Sequence, residues 1–333
     1  MLKLRAAMAA GLVSGVAAAA TLEQQNAELM QEMQKIHHLS DQEVEAIKGI
    51  FHRSGFMGQG NPAVTTHPMT REECAERGKK AGVSFDNPEF EKICGARYMA
   101  PLYDPAKGEA KDAKACIDQF EFPNYPCAYP VTWVRAREAQ EICAATGKRL
   151  CDAHEWEGAC EGTLEAPDYP FAEAKGAAPG VAFNRMRAAH NNKHGGHKAW
   201  GYGPNFQKGI CAQDSQKSAK CDPSGNVFGT CGTNTYPTGS FAKCRSKLEV
   251  YDIHGNAAEH MNLPTSEDEM TSRGSKTLGL TEMKGSWFIW DKFQAHQDWC
   301  RWRAPFWHGS RVMDKESHHN YHLGFRCCKT VGQ

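Results

Sequence analysis

Fourteen cysteines are distributed along this chain of 333 residues, and no other feature restricts its possible folds as strongly. Reducing compartments keep thiols free and their proteins seldom carry so many cysteines, whereas oxidising compartments favour disulfide frameworks. The even count allows every cysteine to have a partner. A metal site built from thiolates is the other interpretation, and the count by itself does not choose between the two.

The N-terminus indicates the compartment. Lys3 and Arg5 precede an apolar stretch over residues 6–16, and three alanines at 18–20 provide a cleavage site before Thr21. This order is typical of a secretory signal peptide. The stretch is shorter than the roughly 20 residues that a membrane-spanning helix needs. Residues 1–20 are therefore predicted to be a signal peptide, and we expect an extracytoplasmic protein, periplasmic or secreted, without a transmembrane segment.

The charge balance excludes one class of partner. Lysine and arginine together number 39, and so do aspartate and glutamate, so the formal net charge is zero. A protein that binds nucleic acid through its charge needs a basic surplus. We therefore expect no nucleic-acid partner.

Two helices are predicted between Thr21 and Arg53. Ser40 and Glu43 have the spacing of a capping box, in which each side chain bonds to the other residue's backbone N–H, and they mark the start of the second helix. Residues 21–93 are interpreted as a helical extension with a disulfide-tied linker, and residues 94–333 as the main domain. The extension is either a docking arm for an envelope assembly or a layer packed on the main domain.

The block of residues 130–160, PVTWVRAREAQEICAATGKRLCDAHEWEGAC, predicts two further helices. The first is expected to begin after a cap at Thr132 and to run to about Thr146. Asp152 and Glu155 form a capping box that starts the second. Elsewhere the main domain has short strand patterns and dense turn residues, and its polar stretch from residue 188 to 222 is interpreted as long surface loops.

Further stretches follow this block in a recognisable order. They are YPF at 169–171, YPTGSF at 236–241, YDIHGNAAE at 251–259, KGSW at 284–287 and LGFRC at 323–327. Together with the block, they resemble the formylglycine-generating enzyme family, also called the sulfatase-modifying factor family, over roughly residues 115–328. The resemblance implies an α+β fold: an irregular, loop-rich, C-type-lectin-like domain, here with an N-terminal helical extension.

The family's enzymes oxidise a sulfatase cysteine to formylglycine with molecular oxygen, and two thiolates between the KGSW and LGFRC segments bind their Cu(I). Soft thiolates suit Cu(I). In this chain the interval contains one cysteine, Cys300. It matches either the second copper ligand or, more closely, a structural cysteine in a C-x-x-R setting that Arg303 completes. The resemblance then implies disulfides Cys160–Cys300 and Cys143–Cys327, and it makes copper binding doubtful.

The resemblance also implies a calcium site in the YDIHGNAAE segment. Its ligands would be the side chains of Asp252 and Glu259 and the carbonyls of Gly255 and Ala257, an oxygen set that suits Ca²⁺. The alternative is a tight turn with a surface glutamate. Asn184 is a candidate for the family's other calcium site.

Histidines offer a different route to metal chemistry. One cluster comprises His190, His194 and His197, and the other comprises His318, His319 and His322. Neutral imidazoles bind zinc, copper or iron. Solvated loop histidines are the alternative for both clusters.

Tryptophans concentrate where the family has its active-site cleft. Aromatic clefts bind apolar, peptide or sugar ligands, and a densely packed core is the alternative. The expected function is a calcium-stabilised binding or structural module without formylglycine-generating activity, with a protein, peptide or glycan ligand. The alternative is a metal-dependent oxidase of the formylglycine-generating type, or a histidine-based metal enzyme. The cleft candidates are Ser286, Trp287, Trp290, Trp299 and Arg303, and Trp302 and Trp307 lie in the same region.

Overall fold

A computed structural model describes residues 20–304 and 310–332. Nearly all of the predicted signal peptide and Trp307 lie outside these residues. Within them, helices and short strands are mixed and no sheet closes into a barrel, as an α+β fold requires. No helix of the described part is both long enough and apolar enough to cross a membrane.

Four helices form the N-terminal part, and a side-chain cap starts each one. Thr21, Ser40 and Thr70 each take part in a reciprocal capping box, and Asn87 accepts a single backbone hydrogen bond. Such caps satisfy N–H groups that the first helical turn leaves without a partner. The predicted helix start at Ser40 is confirmed. The helices are α1 (Leu22–His37), α2 (Asp41–Ser54), α3 (Arg71–Ala81) and α4 (Pro88–Cys94).

The apolar faces of α1 and α2 pack on the main domain. Leu29, Met33, Ile47 and Phe51 are buried in the same core cluster as Phe122. Full burial of such a side chain is worth about 1.5–3 kcal/mol relative to exposure. The extension is therefore a layer of the domain, which is the second of the two arrangements expected from the sequence.

The first sheet is antiparallel, with its four strands in the order β1–β2–β7–β3. Its last strand in sequence lies between two that come early in the main domain, so the sheet joins distant parts of the chain. Its register pairs Ile117 with Cys328 and Leu150 with Cys327. The strands are β1 (Met99–Leu102), β2 (Ala115–Asp118), β3 (Arg149–Leu150) and β7 (Cys327–Thr330).

The second sheet has three strands in the order β5–β4–β6. β4 (Ala258–Leu263) pairs antiparallel with β5 (Leu280–Lys284) and parallel with β6 (Leu323–Phe325). Arg326 alone separates β6 from β7. The C-terminal segment therefore contributes to both sheets and holds a buried arginine at the junction.

The first helix of the block at 130–160, α5 (Ala136–Ala145), begins later than predicted. Thr132 lies in extended backbone, where its amide and carbonyl both pair with Gly58 and its hydroxyl lies 2.8 Å from that of Thr233. The predicted cap at Thr132 is wrong, because these contacts with distant residues hold the segment out of the helix. The next helix, α6 (Ala153–Glu161), has the predicted capping box.

The expectation of loops from residue 188 onward is wrong for the first part of that stretch. Residues up to His194 belong to helix α8 (Pro179–His194), which follows the short helix α7 (Phe171–Ala174). Proline is favourable in a first helical turn, where its missing N–H needs no partner. Asn184 lies inside α8 and donates its amide to the Gly180 carbonyl, 3.0 Å away. It therefore belongs to a helix and not to a cation-binding loop.

Candidate functional site

All fourteen cysteines are paired. The two disulfides that the resemblance implies, Cys143–Cys327 and Cys160–Cys300, are among the seven. Because every cysteine lies within the described residues, none is left as a free thiol. The other five disulfides are Cys74–Cys127, Cys94–Cys116, Cys151–Cys328, Cys211–Cys244 and Cys221–Cys231.

A cavity of about 1090 Å³ lies beside the second sheet. Its walls are mainly apolar and aromatic, with Trp287, Ile289, Phe293 and Tyr321 among them, and Lys217 adds a positive charge. A cavity of this size and lining is the kind that encloses a small ligand or part of a larger one.

Histidines complete the aromatic lining of the cavity. His322 stacks on Trp287 with the ring centroids 4.6 Å apart, and His296 stacks on Trp302 at 4.5 Å. Burial lowers the pKa of His296 to about 4 and the pKa of His322 well below its usual value. Both rings are therefore neutral near pH 7 and add apolar faces to the cavity.

The predicted cluster of His318, His319 and His322 does not form a three-histidine site. Asn320 places its amide nitrogen 3.0 Å from His318 and 3.3 Å from His322. His319 instead packs edge-on against Trp133, with centroids 5.9 Å apart. Among the described residues, these three do not converge as possible metal ligands.

Of the predicted cleft residues, only Trp287 lines the cavity within the described part of the chain. Trp290 packs edge-on against Trp287 and is buried, as is Trp299. The Ser286 hydroxyl donates to Asp298 at 3.0 Å and accepts the Gly255 amide at 2.9 Å. Ser286, Trp290 and Trp299 are therefore buried and do not line the cavity, as in the packed-core alternative.

Arg303 also lies outside the cavity, in a buried cluster of charges. Its Nε is 3.7 Å from Glu157 and 3.6 Å from Glu282. Lys284 lies 2.6 Å from Glu157 and 3.1 Å from Glu282. Two cations therefore lie beside two carboxylates in this cluster. The positive charge of Arg303 is paired there and is not directed at a ligand in the cavity.

Both carboxylates of the YDIHGNAAE segment, those of Asp252 and Glu259, are buried in the interior. Glu259 accepts hydrogen bonds from Arg326 Nε and Nη2, at 2.7 and 2.6 Å, and from Trp156 Nε1 at 2.7 Å. Asp252 accepts the Gly239 amide through one oxygen at 2.6 Å. Its other oxygen is buried and has no hydrogen-bond partner among the described residues.

A third carboxylate, Glu121, belongs to the same group. It accepts the Ala257 amide at 2.6 Å and the Asn256 side chain at 2.7 Å. Burial, together with Asp252 and Glu259, raises the pKa of Glu121 well above its usual value. Burial likewise raises the pKa of Asp252 to about 7.

These contacts test whether the residues suit the calcium ion that the resemblance implies. Three buried carboxylates face one guanidinium, and burial disfavours their charged forms, so a cation bound among them would stabilise the negative charge. Asp252 has a buried oxygen to offer. Arg326 already holds both oxygens of Glu259. The residues therefore fit Ca²⁺ through Asp252 better than through Glu259.

The first predicted histidine cluster has a different membership in the structure. His190 and His194 lie at the end of α8 together with Asp168, which the sequence did not single out. Burial lowers the pKa of His190 to about 4. Burial raises the pKa of Asp168, but hydrogen bonds from Lys193 and His194 lower it by more. The pKa of Asp168 is therefore about 2.

The residues that sequence reasoning missed had no strong local signal. Glu121 and Asp168 each come from segments with no metal-binding spacing. His190 and His194 are four residues apart, which places two ligands on one face once a helix is recognised. His197, the third member of the predicted cluster, is exposed beyond the end of that helix.

The chain is similar to one known protein family over most of its length. Residues 63–331 match the model of a family described as the sulfatase-modifying factor enzyme 1-like domain. No curated protein matches the chain. Among solved structures, one described as "Crystal Structure of CarF" is similar at 14% identity, covering 78% of this chain and 82% of that chain, with a TM-score of 0.24. A likeness at that TM-score supports no functional argument.

Proposed function

The chain belongs to the family of the sulfatase-modifying factor enzyme 1-like domain, and on that premise we propose that it is an extracytoplasmic, disulfide-stapled binding module without formylglycine-generating activity. The observation that carries this proposal is the pairing of all fourteen cysteines. The family's copper chemistry needs two thiolates at one ion, and soft Cu(I) is poorly held without them. Seven disulfides also agree with an oxidising compartment.

The cavity is the proposed binding site. Exposed aromatic rings such as Phe293 offer flat apolar faces to this space, which suit the faces of sugar rings and aromatic peptide side chains. Lys217 and Lys292 border the same space, so the ligand carries a polar or anionic group beside an apolar one. A peptide or glycan has this chemistry.

Calcium is a second part of the proposal. The support is the unpartnered oxygen of Asp252 and the surplus of carboxylates around Arg326. Calcium in this role stabilises the loop and takes no part in ligand binding at the cavity. A partner of the N-terminal helices would have to use their outer faces, since the inner faces of α1 and α2 are buried.

The absence of formylglycine-generating activity is tested with a cysteine peptide, Cu(I) and oxygen. We expect no aldehyde product, no oxygen uptake above the buffer rate, and no thiol when the unreduced protein is unfolded in a thiol reagent. The readouts separate inactivity from failed metal loading, because thiol counting needs no metal. Stoichiometric Cu(I) binding together with aldehyde formation would overturn the proposal.

The cavity is tested with the aromatic anion 1-anilinonaphthalene-8-sulfonate. Phe293 lines the cavity and is 60% exposed, so Phe293→Ala removes a wall without disturbing the core. We expect this variant to bind the probe about 10-fold more weakly, which corresponds to about 1.4 kcal/mol. Fluorescence titration measures the affinity.

The matched control is Phe56→Ala, another exposed phenylalanine that does not line the cavity. It should leave probe affinity unchanged. Displacement of the probe by oligosaccharides or by peptides then separates the two ligand classes. Equal affinities for wild type and Phe293→Ala would show that the probe binds elsewhere and would count against the cavity.

A further inference from the structure

Two histidines and an aspartate converge where α8 ends. His190 and His194 are one helical turn apart, and their ring centroids are 4.5 Å from each other. Asp168, in the segment before α7, reaches toward both rings. Its Oδ2 is 2.6 Å from His194 Nε2, and its Oδ1 is 3.9 Å from His190 Nδ1.

The distances suit a shared ion. One ligand atom from each of the three residues lies within 4.8 Å of the others. Ligands of Zn²⁺ lie about 2.0–2.2 Å from the ion, so atoms on neighbouring vertices are about 3–3.5 Å apart. The distances from Asp168 to the two rings, 2.6 Å and 3.9 Å, lie on either side of that spacing.

His190 supplies an independent observation. Its side chain is 1% exposed, and its Nδ1 has no hydrogen-bond partner among the described residues. A buried polar group without a partner is costly, by about 1–3 kcal/mol. An ion between His190 and Asp168 would satisfy Nδ1, which no other described residue does.

The other face of His190 completes the pattern. Its Nε2 lies 3.4 Å from Glu157 Oε1. Histidines that bind a metal usually donate their second N–H to a carboxylate or carbonyl, which fixes the ring and its tautomer. Lys284 holds Glu157 in place at 2.6 Å, so this acceptor is rigid.

From this geometry we infer that Asp168, His190 and His194 bind a divalent transition-metal ion, with Zn²⁺ the ion that the two-nitrogen, one-oxygen set fits best. The Nζ of Lys193, 2.9 Å from Asp168, is on a largely exposed side chain and can move aside. The site lies outside the cavity and does not depend on the proposed binding function.

The test is a titration of chelator-treated full-length protein with Zn²⁺, and with Co²⁺ for its visible absorption, in buffer with excess calcium. We expect one ion per chain for the wild type. Asp168→Asn and His194→Gln change side chains that are 20% and 16% exposed, so both variants should fold. Each should weaken Zn²⁺ binding by more than about 100-fold, since loss of even a supporting group costs 10- to 100-fold.

His197→Gln is the matched control, because His197 is three residues from His194 and exposed. It should bind Zn²⁺ and Co²⁺ as the wild type does. Circular dichroism of each variant confirms that a loss of binding is not a loss of fold. The inference is overturned if wild-type protein binds no stoichiometric ion, or if His197→Gln weakens binding as much as His194→Gln.

Discussion

Replacing all four cysteines of Cys143–Cys327 and Cys151–Cys328 by alanine is expected to lower the free energy of unfolding by about 6 kcal/mol, whereas removing either pair alone should cost about 2.5 kcal/mol. Both disulfides join the same two segments, α5–β3 and the C-terminal strand. While one remains, the other closes a loop of only about ten residues, and loop entropy grows with the logarithm of loop length.

Once one of the two is absent, the nearest other disulfide is Cys160–Cys300, and through it the remaining bond closes a loop of about 40 residues. The combined loss should therefore exceed the sum of the single losses by about 1 kcal/mol. Denaturant unfolding of the two single-pair variants and the four-cysteine variant measures this difference. Removing Cys221–Cys231, a loop disulfide elsewhere, is the control. Its cost should simply add to the others. If the four-cysteine variant loses only the sum of the two single-pair losses, the disulfides Cys143–Cys327 and Cys151–Cys328 do not share a loop.

Arg326→Met is expected to destabilise the protein by about 3–5 kcal/mol, because it leaves Glu259 charged and buried without its partner. The arginine also donates to the carbonyls of Asp118, Gln119 and Tyr251. Arg273→Met is the control. Arg273 and its partner Glu267 are both more than half exposed, and such surface pairs contribute at most about 1 kcal/mol.

The double variant Glu259→Gln/Arg326→Met separates the pair from its surroundings. It should recover part of the lost stability, but not all, because Glu121 and Asp252 would then face no cation. If the stability losses of Glu259→Gln alone and Arg326→Met alone add up to the loss of the double variant, the broken ion pair is not the cause of the destabilisation.

The same unfolding experiment with calcium and with a calcium chelator tests the proposed calcium ion. A ligand at 100 times its dissociation constant stabilises by about 2.7 kcal/mol. We expect calcium to stabilise the wild type and to have no effect on Asp252→Asn. Identical unfolding of the wild type with and without calcium would remove calcium from the proposal.

Local patterns were predictable from the sequence where the interaction spans few residues. The capping boxes at Ser40 and Asp152 involve residues three positions apart, and both helix starts are as predicted. The cap at Thr132 failed for the opposite reason. Its hydroxyl meets Thr233, about a hundred residues away, and no local rule weighs that contact against a helix.

The same contrast between local patterns and long-range contacts applies to the candidate site. The family motifs identified the Glu259 segment and the Arg326 segment separately, but the ion pair between them joins residues 67 positions apart. The tryptophans after Ser286 were visible as a group. Which rings line a cavity and which fill the core depends on how strands β4–β6 and the following loops pack.

The cysteines show most clearly which features follow from the sequence and which follow from the tertiary structure. The sequence by itself determined that fourteen cysteines in a chain with a predicted signal peptide favour a disulfide framework, and its motifs implied two of the pairs. Only the tertiary structure decided the other five pairs and the convergence of Asp168 with His190 and His194. The physical reason is that pairing and ligation depend on distances of a few ångströms between segments. Sequence spacing constrains such distances only within a single helix, strand or turn.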